Sequence, residues 1–159
     1  MTSPIAIPKF VLDTVYEHAR AGFPDECCGY LVGPRDGTRV DGAVACSNAQ
    51  REGAHPTNPE RGADEGFVIS GRELFGFVRA FDSDRPPRIV YHSHTNGRAY
   101  FSEVDHAAST LEGRPNYAVQ HLVVGVTAEG LTEAAQFAWS DDGFVEVARW
   151  AIDIRPPLV

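Results

Sequence analysis

Residues suited to metal chemistry stand close together in this sequence, as His92-Ser-His94 followed by Ser102-Glu-Val-Asp105. Residues two apart in a strand face the same side, so one metal ion is within reach of both histidines. Ser102 and Asp105, three apart at a helix start, also share a face. Two histidines and one aspartate leave the fourth position of a tetrahedral zinc ion open, whereas structural zinc is usually closed by four protein ligands. The pattern therefore predicts a catalytic zinc site.

Each part of this pattern also has a structural explanation. Ser102-x-x-Asp105 is an ordinary N-terminal capping box, and the two roles are compatible because a helix start fixes its side chains rigidly. His92 and His94 could be buried and hydrogen-bonded, but a pair at the exit of an apolar strand, where sites collect in sheet proteins, favours ligands. The other histidines lack such a pairing and are interpreted as structural: His18, His55, His106 and His121.

Hydrolysis at such a site also needs a carboxylate that does not bind the metal. This carboxylate takes a proton from water and gives it to a leaving amine. The candidate is Glu26, in the segment Pro24-Asp-Glu-Cys-Cys-Gly-Tyr-Leu-Val-Gly33 directly before a predicted strand. Asp25 and Glu17 satisfy the same chemistry. From the residues alone Glu26 is the best of several acids.

Helices and strands are interspersed along the chain in a pattern that predicts an α/β or α+β fold around a mixed sheet. Capping and turn residues mark the element boundaries, including a capping box at Ser70 and Glu73. The predicted helices cover 8–22, 70–81 and 102–113. The predicted strands cover 28–33, 38–46, 67–69, 88–94, 118–127, 133–140 and 144–149. The polar stretch 47–66 is long enough for a functional lid or a disordered loop.

Composition excludes several function classes. The chain has 159 residues, of which 43% are hydrophobic, so we expect residues 1–159 to form a single domain with its own core. The net charge of −8 argues against a nucleic-acid-binding surface. No apolar run approaches a membrane span and no signal peptide is evident, so a cytoplasmic location is expected. Three cysteines, Cys27, Cys28 and Cys46, make a poor disulfide framework and are predicted to be buried.

The set Glu26, His92-x-His94 and Ser102-x-x-Asp105 resembles the JAMM (MPN+) zinc metallopeptidases, also known as Mov34/MPN/PAD-1-like proteins. The resemblance covers nearly the whole chain and implies a mixed sheet flanked by helices, similar to cytidine deaminases. It implies His92, His94 and Asp105 as ligands of Zn²⁺, Glu26 as the general acid and base, and Ser102 as support for the oxyanion of the intermediate. Thr95 stands where many members have proline, so the path of the loop 95–101 is expected to differ. All five motif positions are intact, which argues against the family's inactive branch.

Small bacterial members of that family resemble enzymes that act on ubiquitin-like (ThiS/MoaD-like) sulfur-carrier proteins. They expose the terminal Gly-Gly of the carrier or cleave a cysteine adduct from it. The resemblance therefore implies such a carrier as partner, with its extended tail added to a sheet edge. A homodimer is compatible with the sequence.

Other classes of function remain open at this point. One is a non-catalytic MPN-like interaction module, and another is a deubiquitinase-like isopeptidase with a different substrate. A zinc deaminase is disfavoured because its His-x-Glu and Cys-x-x-Cys patterns do not occur. A cysteine hydrolase using Cys27 or Cys28 would respond to thiol alkylation and not to chelators.

Overall fold

The computed structural model describes residues 3–48 and 71–152 of the chain. Within these ranges the helices are α1 (Lys9–Gly22), α2 (Gly71–Ala80) and α3 (Glu103–Ser109). The strands are β1 (Cys28–Val32), β2 (Gly42–Cys46), β3 (Pro87–His94), β4 (Thr110–Leu111), β5 (Arg114–Pro115), β6 (Gln120–Thr127), β7 (Gly130–Ser140) and β8 (Gly143–Ala151).

A six-stranded sheet in the order β2-β1-β3-β6-β7-β8 forms the centre of the molecule. The pair β3–β6 is parallel and the other neighbouring pairs are antiparallel, so the sheet is mixed as predicted. A parallel pair requires a crossover, and the chain between β3 and β6 contains α3 and the small β4–β5 hairpin. This crossover places α3 next to the carboxyl end of β3.

The two faces of the sheet carry different helices. Ile89 and Tyr91 of β3 belong to one buried cluster with Val11 and Val15 of α1. Val90 belongs to a second cluster with Phe77 of α2, and because side chains alternate along a strand, this cluster lies on the opposite face. His92 and His94 have the same parity as Val90. They therefore face away from α1.

Gly29 in β1 allows a close approach between strands. A Cβ atom there would come within 2.5 Å of the ring of Tyr91, which is fully buried on β3. The Tyr91 hydroxyl lies 2.7 Å from Nδ1 of His18 on α1. The absence of a side chain at residue 29 thus lets the β3 aromatic ring fill the space between the sheet and α1.

The second strand was predicted from Thr38, but β2 begins at Gly42. The amide of Ala6 donates to the Thr38 carbonyl at 2.8 Å, and the amide of Val40 donates to the Ala6 carbonyl at 3.0 Å. Residues 38–40 therefore bond to the N-terminal segment and not to β1. The hairpin pairing starts only where Gly42 lies opposite Val32.

The third helix was predicted to reach Gly113, but α3 ends at Ser109 and its C-cap Thr110 is extended. Glu112 and Gly113 have φ values of 53° and 78°. Two consecutive positive φ values are the conformation of a two-residue hairpin turn, and here they join β4 to β5. Gly113 marks this turn and not a helix stop.

The predicted strand 67–69, the Ser70 cap and most of the polar stretch 47–66 lie outside the described residues. Cys27, Cys28 and Cys46 are buried free thiols, as predicted, with Cys28 opposite Cys46 across β1 and β2. In the part of the chain that is described, none of the helices combines the length and apolar character needed to span a membrane.

Candidate metal centre

Three nitrogen and oxygen donors converge at the carboxyl end of β3. The Nε2 atoms of His92 and His94 lie 3.2 Å apart. Asp105, on the first turn of α3, places Oδ1 at 3.1 Å from Nε2 of His92 and Oδ2 at 3.1 Å from Nε2 of His94. The structure thus brings these three residues together, and their donor atoms are close enough to hold one metal ion.

This spacing fits a tetrahedral zinc ion. Ligands at about 2.0–2.1 Å from such an ion are about 3.3 Å from one another. The observed separations of 3.1–3.2 Å are close to that value. The chemistry of the donors agrees, because imidazole nitrogen and carboxylate oxygen are ordinary zinc ligands.

A backbone hydrogen bond sets the orientation of the His94 ring. Nδ1 of His94 lies 3.0 Å from the carbonyl oxygen of Arg98, which can only accept, so Nδ1 carries the proton. In neutral His94 the lone pair is therefore on Nε2, directed at a carboxylate oxygen of Asp105. Two acceptors that face each other need a cation between them. A metal ion would satisfy both, and the fixed tautomer is the one that a metal-ligating histidine uses.

The capping box predicted at the start of α3 is present and shares the carboxylate of Asp105. Oγ of Ser102 accepts from the Asp105 amide at 3.0 Å, and Oδ2 of Asp105 accepts from the Ser102 amide at 3.0 Å. The capping explanation and the ligand explanation therefore hold together, since the cap fixes the carboxylate that faces both histidines. The cap uses Ser102 Oγ as an acceptor, so it leaves the hydroxyl hydrogen free to donate elsewhere.

The electrostatics of the site favour a negative Asp105. Although burial opposes it, the charges and hydrogen bonds of His92 and His94 hold the pKa of Asp105 far below its ordinary value. Complete burial would lower the pKa of His92, but the Asp105 carboxylate and then the charge of Glu26 outweigh it, so that pKa is raised. A carboxylate that stays ionised is a stronger ligand for a divalent cation.

Glu26 is buried beside this group, with 9% of its surface exposed. β1 pairs Cys28 with His92, and two hydrogen bonds between Cys27 and Ser93 extend that register beyond the strand. Continued by one more residue, the register places Glu26 opposite His94. The Glu26 carbonyl accepts from Nδ2 of Asn48 at 2.9 Å, which fixes its backbone. Of the candidate acids, Glu17 lies instead on α1, beyond the opposite face of the sheet.

The remaining described histidines make structural contacts, as predicted. His18 contacts the Tyr91 hydroxyl, and His106 stacks on Trp139. His121 lies on the same face of the sheet as the candidate metal centre, between the rings of Phe101 and Phe144. Burial lowers the pKa of His121 to about 3, so this ring is neutral at ordinary pH. His55 lies outside the described residues.

Sequence reasoning missed two side chains near the centre. The ring of Tyr100, 44% exposed, lies 4.7 Å from the ring of His94 between centroids. Glu133 on β7 contacts the loop that follows β3, through a hydrogen bond from the Ala99 amide at 2.8 Å. Tyr100 carries no spacing signal, and Glu133 is remote in sequence from the loop. Only the strand order brings β7 to this position.

Two solved structures share the fold. A protein from Desulfitobacterium hafniense has a TM-score of 0.61 at 22% identity, covering 88% of this chain and 87% of that one. A protein from Salinibacter ruber has a TM-score of 0.58 at 22% identity, covering 96% and 94%. At this identity the likeness establishes the fold alone.

Curated relatives carry a functional name. Proteins named CysO-cysteine peptidase, from Mycobacterium tuberculosis and Mycobacterium bovis, are 33% identical over 101 residues, or 64% of this chain. The aligned region spans 62% of the length of those relatives. Residues 8–140 match the family Prok-JAB, described as prokaryotic homologs of the JAB domain. Because that match covers most of the sequence and includes His92, His94 and Asp105, the chain belongs to the JAB (JAMM/MPN) domain family.

Proposed function

We propose that this protein is a zinc-dependent peptidase that acts on a ubiquitin-like sulfur-carrier protein of the ThiS/MoaD type. It would hydrolyse the bond after the carrier's C-terminal Gly-Gly and so release a C-terminal extension or a cysteine adduct. The observation that carries the proposal is the convergence of His92, His94 and Asp105 beside the buried Glu26. The relatives named CysO-cysteine peptidase support the class of substrate.

In this mechanism His92, His94 and Asp105 would hold the metal ion. When bound, zinc supplies Lewis acidity toward the scissile carbonyl and lowers the pKa of a water molecule. Glu26 takes one proton from the attacking water at a carboxylate oxygen and later delivers it to the nitrogen of the leaving amine. Water oxygen adds to the carbonyl carbon, the C–N bond breaks, and the products are a carboxylate and an amine. Ser102 donates its hydroxyl hydrogen to the developing oxyanion.

Exposed side chains beside the centre are available to contact a substrate. Tyr100 and Val104 are each 44% exposed. The Tyr100 ring contacts the ring of His94, so it offers an apolar surface next to the donors, and Val104 directly precedes Asp105 on α3. A Gly-Gly segment has no side chains, so its backbone could approach the buried metal centre closely. Both features agree with a carrier tail as the occupant.

A thiol nucleophile is disfavoured by the surroundings of the cysteines. Burial is the main cause that raises the pKa of Cys27 to about 11 and that of Cys46 to about 12. Burial also raises the pKa of Cys28 strongly. Because the thiolate is the reactive form, these residues are poor nucleophiles. We therefore expect chelators, and not thiol alkylation, to abolish activity.

The test is intact-mass spectrometry of carrier proteins encoded in the same genome. Two substrates are prepared, one ending in Gly-Gly-Cys and one with a longer extension after Gly-Gly, and each is incubated with the protein and Zn²⁺. The expected result is loss of the mass that follows Gly-Gly, blocked by chelator and restored by zinc. An intact carrier in the presence of a stoichiometrically zinc-loaded protein would contradict the proposed substrate.

Replacement of Ser102 by Ala is expected to lower turnover on the order of 10²–10³-fold, because one donor to the oxyanion is lost. Loss of the cap should also destabilise the fold by about 1 kcal/mol. The measurements are kcat on the carrier, zinc content and thermal unfolding. Ser102→Thr is the matched control, since it keeps a hydroxyl that can both cap and donate. Unchanged turnover in Ser102→Ala would leave this residue with the capping role alone.

A further inference from the structure

One peptide group connects the candidate metal centre to a charged side chain outside it. The Arg98 carbonyl accepts from Nδ1 of His94 at 3.0 Å. The amide of the same peptide unit, contributed by Ala99, donates to Oε2 of Glu133 at 2.8 Å. The carbonyl and amide of a peptide are conjugated, so a carboxylate at the N–H increases the negative charge on the oxygen. Glu133 thereby strengthens the hydrogen bond that His94 makes.

We propose that Glu133 is a positioning residue for the metal centre, acting on His94 through the Arg98–Ala99 peptide. The inference rests on the metal site of the proposed function. Carboxylates that accept from the second nitrogen of a ligating histidine raise its donor strength and fix its ring. Here the peptide lies between the two groups and relays the effect. Glu133 never contacts the metal ligands directly.

Arg149 on β8 completes the arrangement around Ala99. Its Nη1 lies 3.0 Å from Oε1 of Glu133, and its Nη2 donates to the Ala99 carbonyl at 2.8 Å. The amide and the carbonyl of one loop residue are thus both held from the sheet, the first by Glu133 and the second by Arg149. The two peptides on either side of the Ala99 Cα are therefore both restrained, and the first of them is the Arg98–Ala99 peptide of the relay.

The same loop contacts the sheet at a second point. The carbonyl of Gly97 accepts from the hydroxyl of Thr132. A Cβ atom at Gly125 on β6 would come within 2.5 Å of that carbonyl oxygen, so the approach requires glycine there. Thr95 begins this loop where the resemblance led us to expect proline. The contacts from β7 and β8, together with the close approach to β6, restrain this loop.

The charge of Glu133 is available for this role. The hydrogen bond from the Ala99 amide is the main cause that lowers the pKa of Glu133, so it is ionised at neutral pH. Its side chain is 34% exposed and that of Arg149 is 40% exposed, and solvent screening weakens the ion pair between them. The same exposure also weakens the effect of the carboxylate on the peptide. Because Glu133 acts on His94 through a peptide, we expect its loss to lower zinc affinity by an amount at the lower end of the range known for residues that hydrogen-bond to metal ligands.

Glu133→Gln tests the relay, because glutamine keeps an oxygen acceptor for the Ala99 amide and loses the charge. We expect its affinity for Zn²⁺, measured by competition with a chromophoric chelator, to fall by about 10-fold. Glu146→Gln is the matched control. Glu146 also pairs with Arg149, at 2.7 Å, and its loss changes the net charge equally. Among the described residues it makes hydrogen bonds and an ion pair with Arg149 and none with the loop, so its variant should keep the zinc affinity of the unmodified protein.

A second measurement separates the relay from a general loosening of the loop. In the ¹⁵N-labelled, zinc-loaded protein, the Nδ1–H resonance of His94 should move upfield in Glu133→Gln and stay in place in Glu146→Gln. Equal zinc affinity and an unmoved resonance in Glu133→Gln would overturn the relay and leave the metal site standing. An equal loss of zinc affinity in Glu133→Gln and Glu146→Gln would also overturn the relay. An unmodified protein that binds no zinc would contradict the proposed function itself.

Discussion

Replacement of Glu26 by Gln is expected to leave zinc binding intact and to lower turnover on the order of 10²–10⁴-fold, the usual contribution of a general acid or base. Glutamine has nearly the same shape and still supplies the backbone carbonyl that accepts from Asn48. It cannot take a proton from water or return one to the leaving amine. The variant should therefore fold, hold metal and fail in the chemical step. The measurements are zinc stoichiometry, carrier binding and kcat on the Gly-Gly-extended carrier.

The control for this experiment is the neighbouring acid, as Asp25→Asn. Asp25 lies in the bend after α1. It precedes Glu26 by one residue and so lies beyond the residue that the β1–β3 pairing places opposite His94. Its variant should keep both zinc and turnover. A Glu26→Gln protein with normal turnover would remove Glu26 from the mechanism and return the choice of base to the other acids. Loss of zinc in that variant would instead indicate a role in binding the metal.

The convergence of His92, His94 and Asp105 could be predicted from sequence because their positions depend on short-range geometry. His92 and His94 share a face by strand alternation, and the Ser102–Asp105 pair is fixed by the first turn of a helix. The mixed sheet followed from the order of periodic segments. Glu26 was harder to predict, because its place beside His94 depends on the antiparallel register of β1 and β3, which the sequence does not encode locally.

The residues that could not be predicted depend on strand order and on turns. Glu133 and Arg149 reach Ala99 only because β7 and β8 continue the sheet beyond β6. The segment after α3 was misassigned because Glu112 adopts a positive φ, which is uncommon for a residue with a side chain. Thr38 was assigned to the second strand, although it bonds to the N-terminal segment. Local periodicity cannot reveal the parallel bridge between Ala6 and Arg39.

Replacement of His94 by Ala is expected to abolish zinc binding at micromolar metal, because only His92 and Asp105 would remain as ligands. Zinc affinity should fall by more than the roughly 100-fold that is the largest usual effect of removing a residue that only hydrogen-bonds to a ligand. In the unmodified protein, zinc at about 100 times its Kd should stabilise the fold by about 2.7 kcal/mol, since metal binds the folded state preferentially. That stabilisation should vanish in His94→Ala. Thermal unfolding with and without zinc, together with metal analysis, measures both effects.

His106→Ala is the matched control for that loss. His106 directly follows Asp105 on α3, but its ring stacks on Trp139 and makes no contact with the donor atoms. The substitution removes an imidazole ring close to the candidate metal centre, as His94→Ala does, and should leave the stabilisation by zinc unchanged. A full zinc complement in His94→Ala would refute the ligand assignment. If His106→Ala lost zinc to the same extent, the effect would come from the packing of α3 and not from the loss of a ligand.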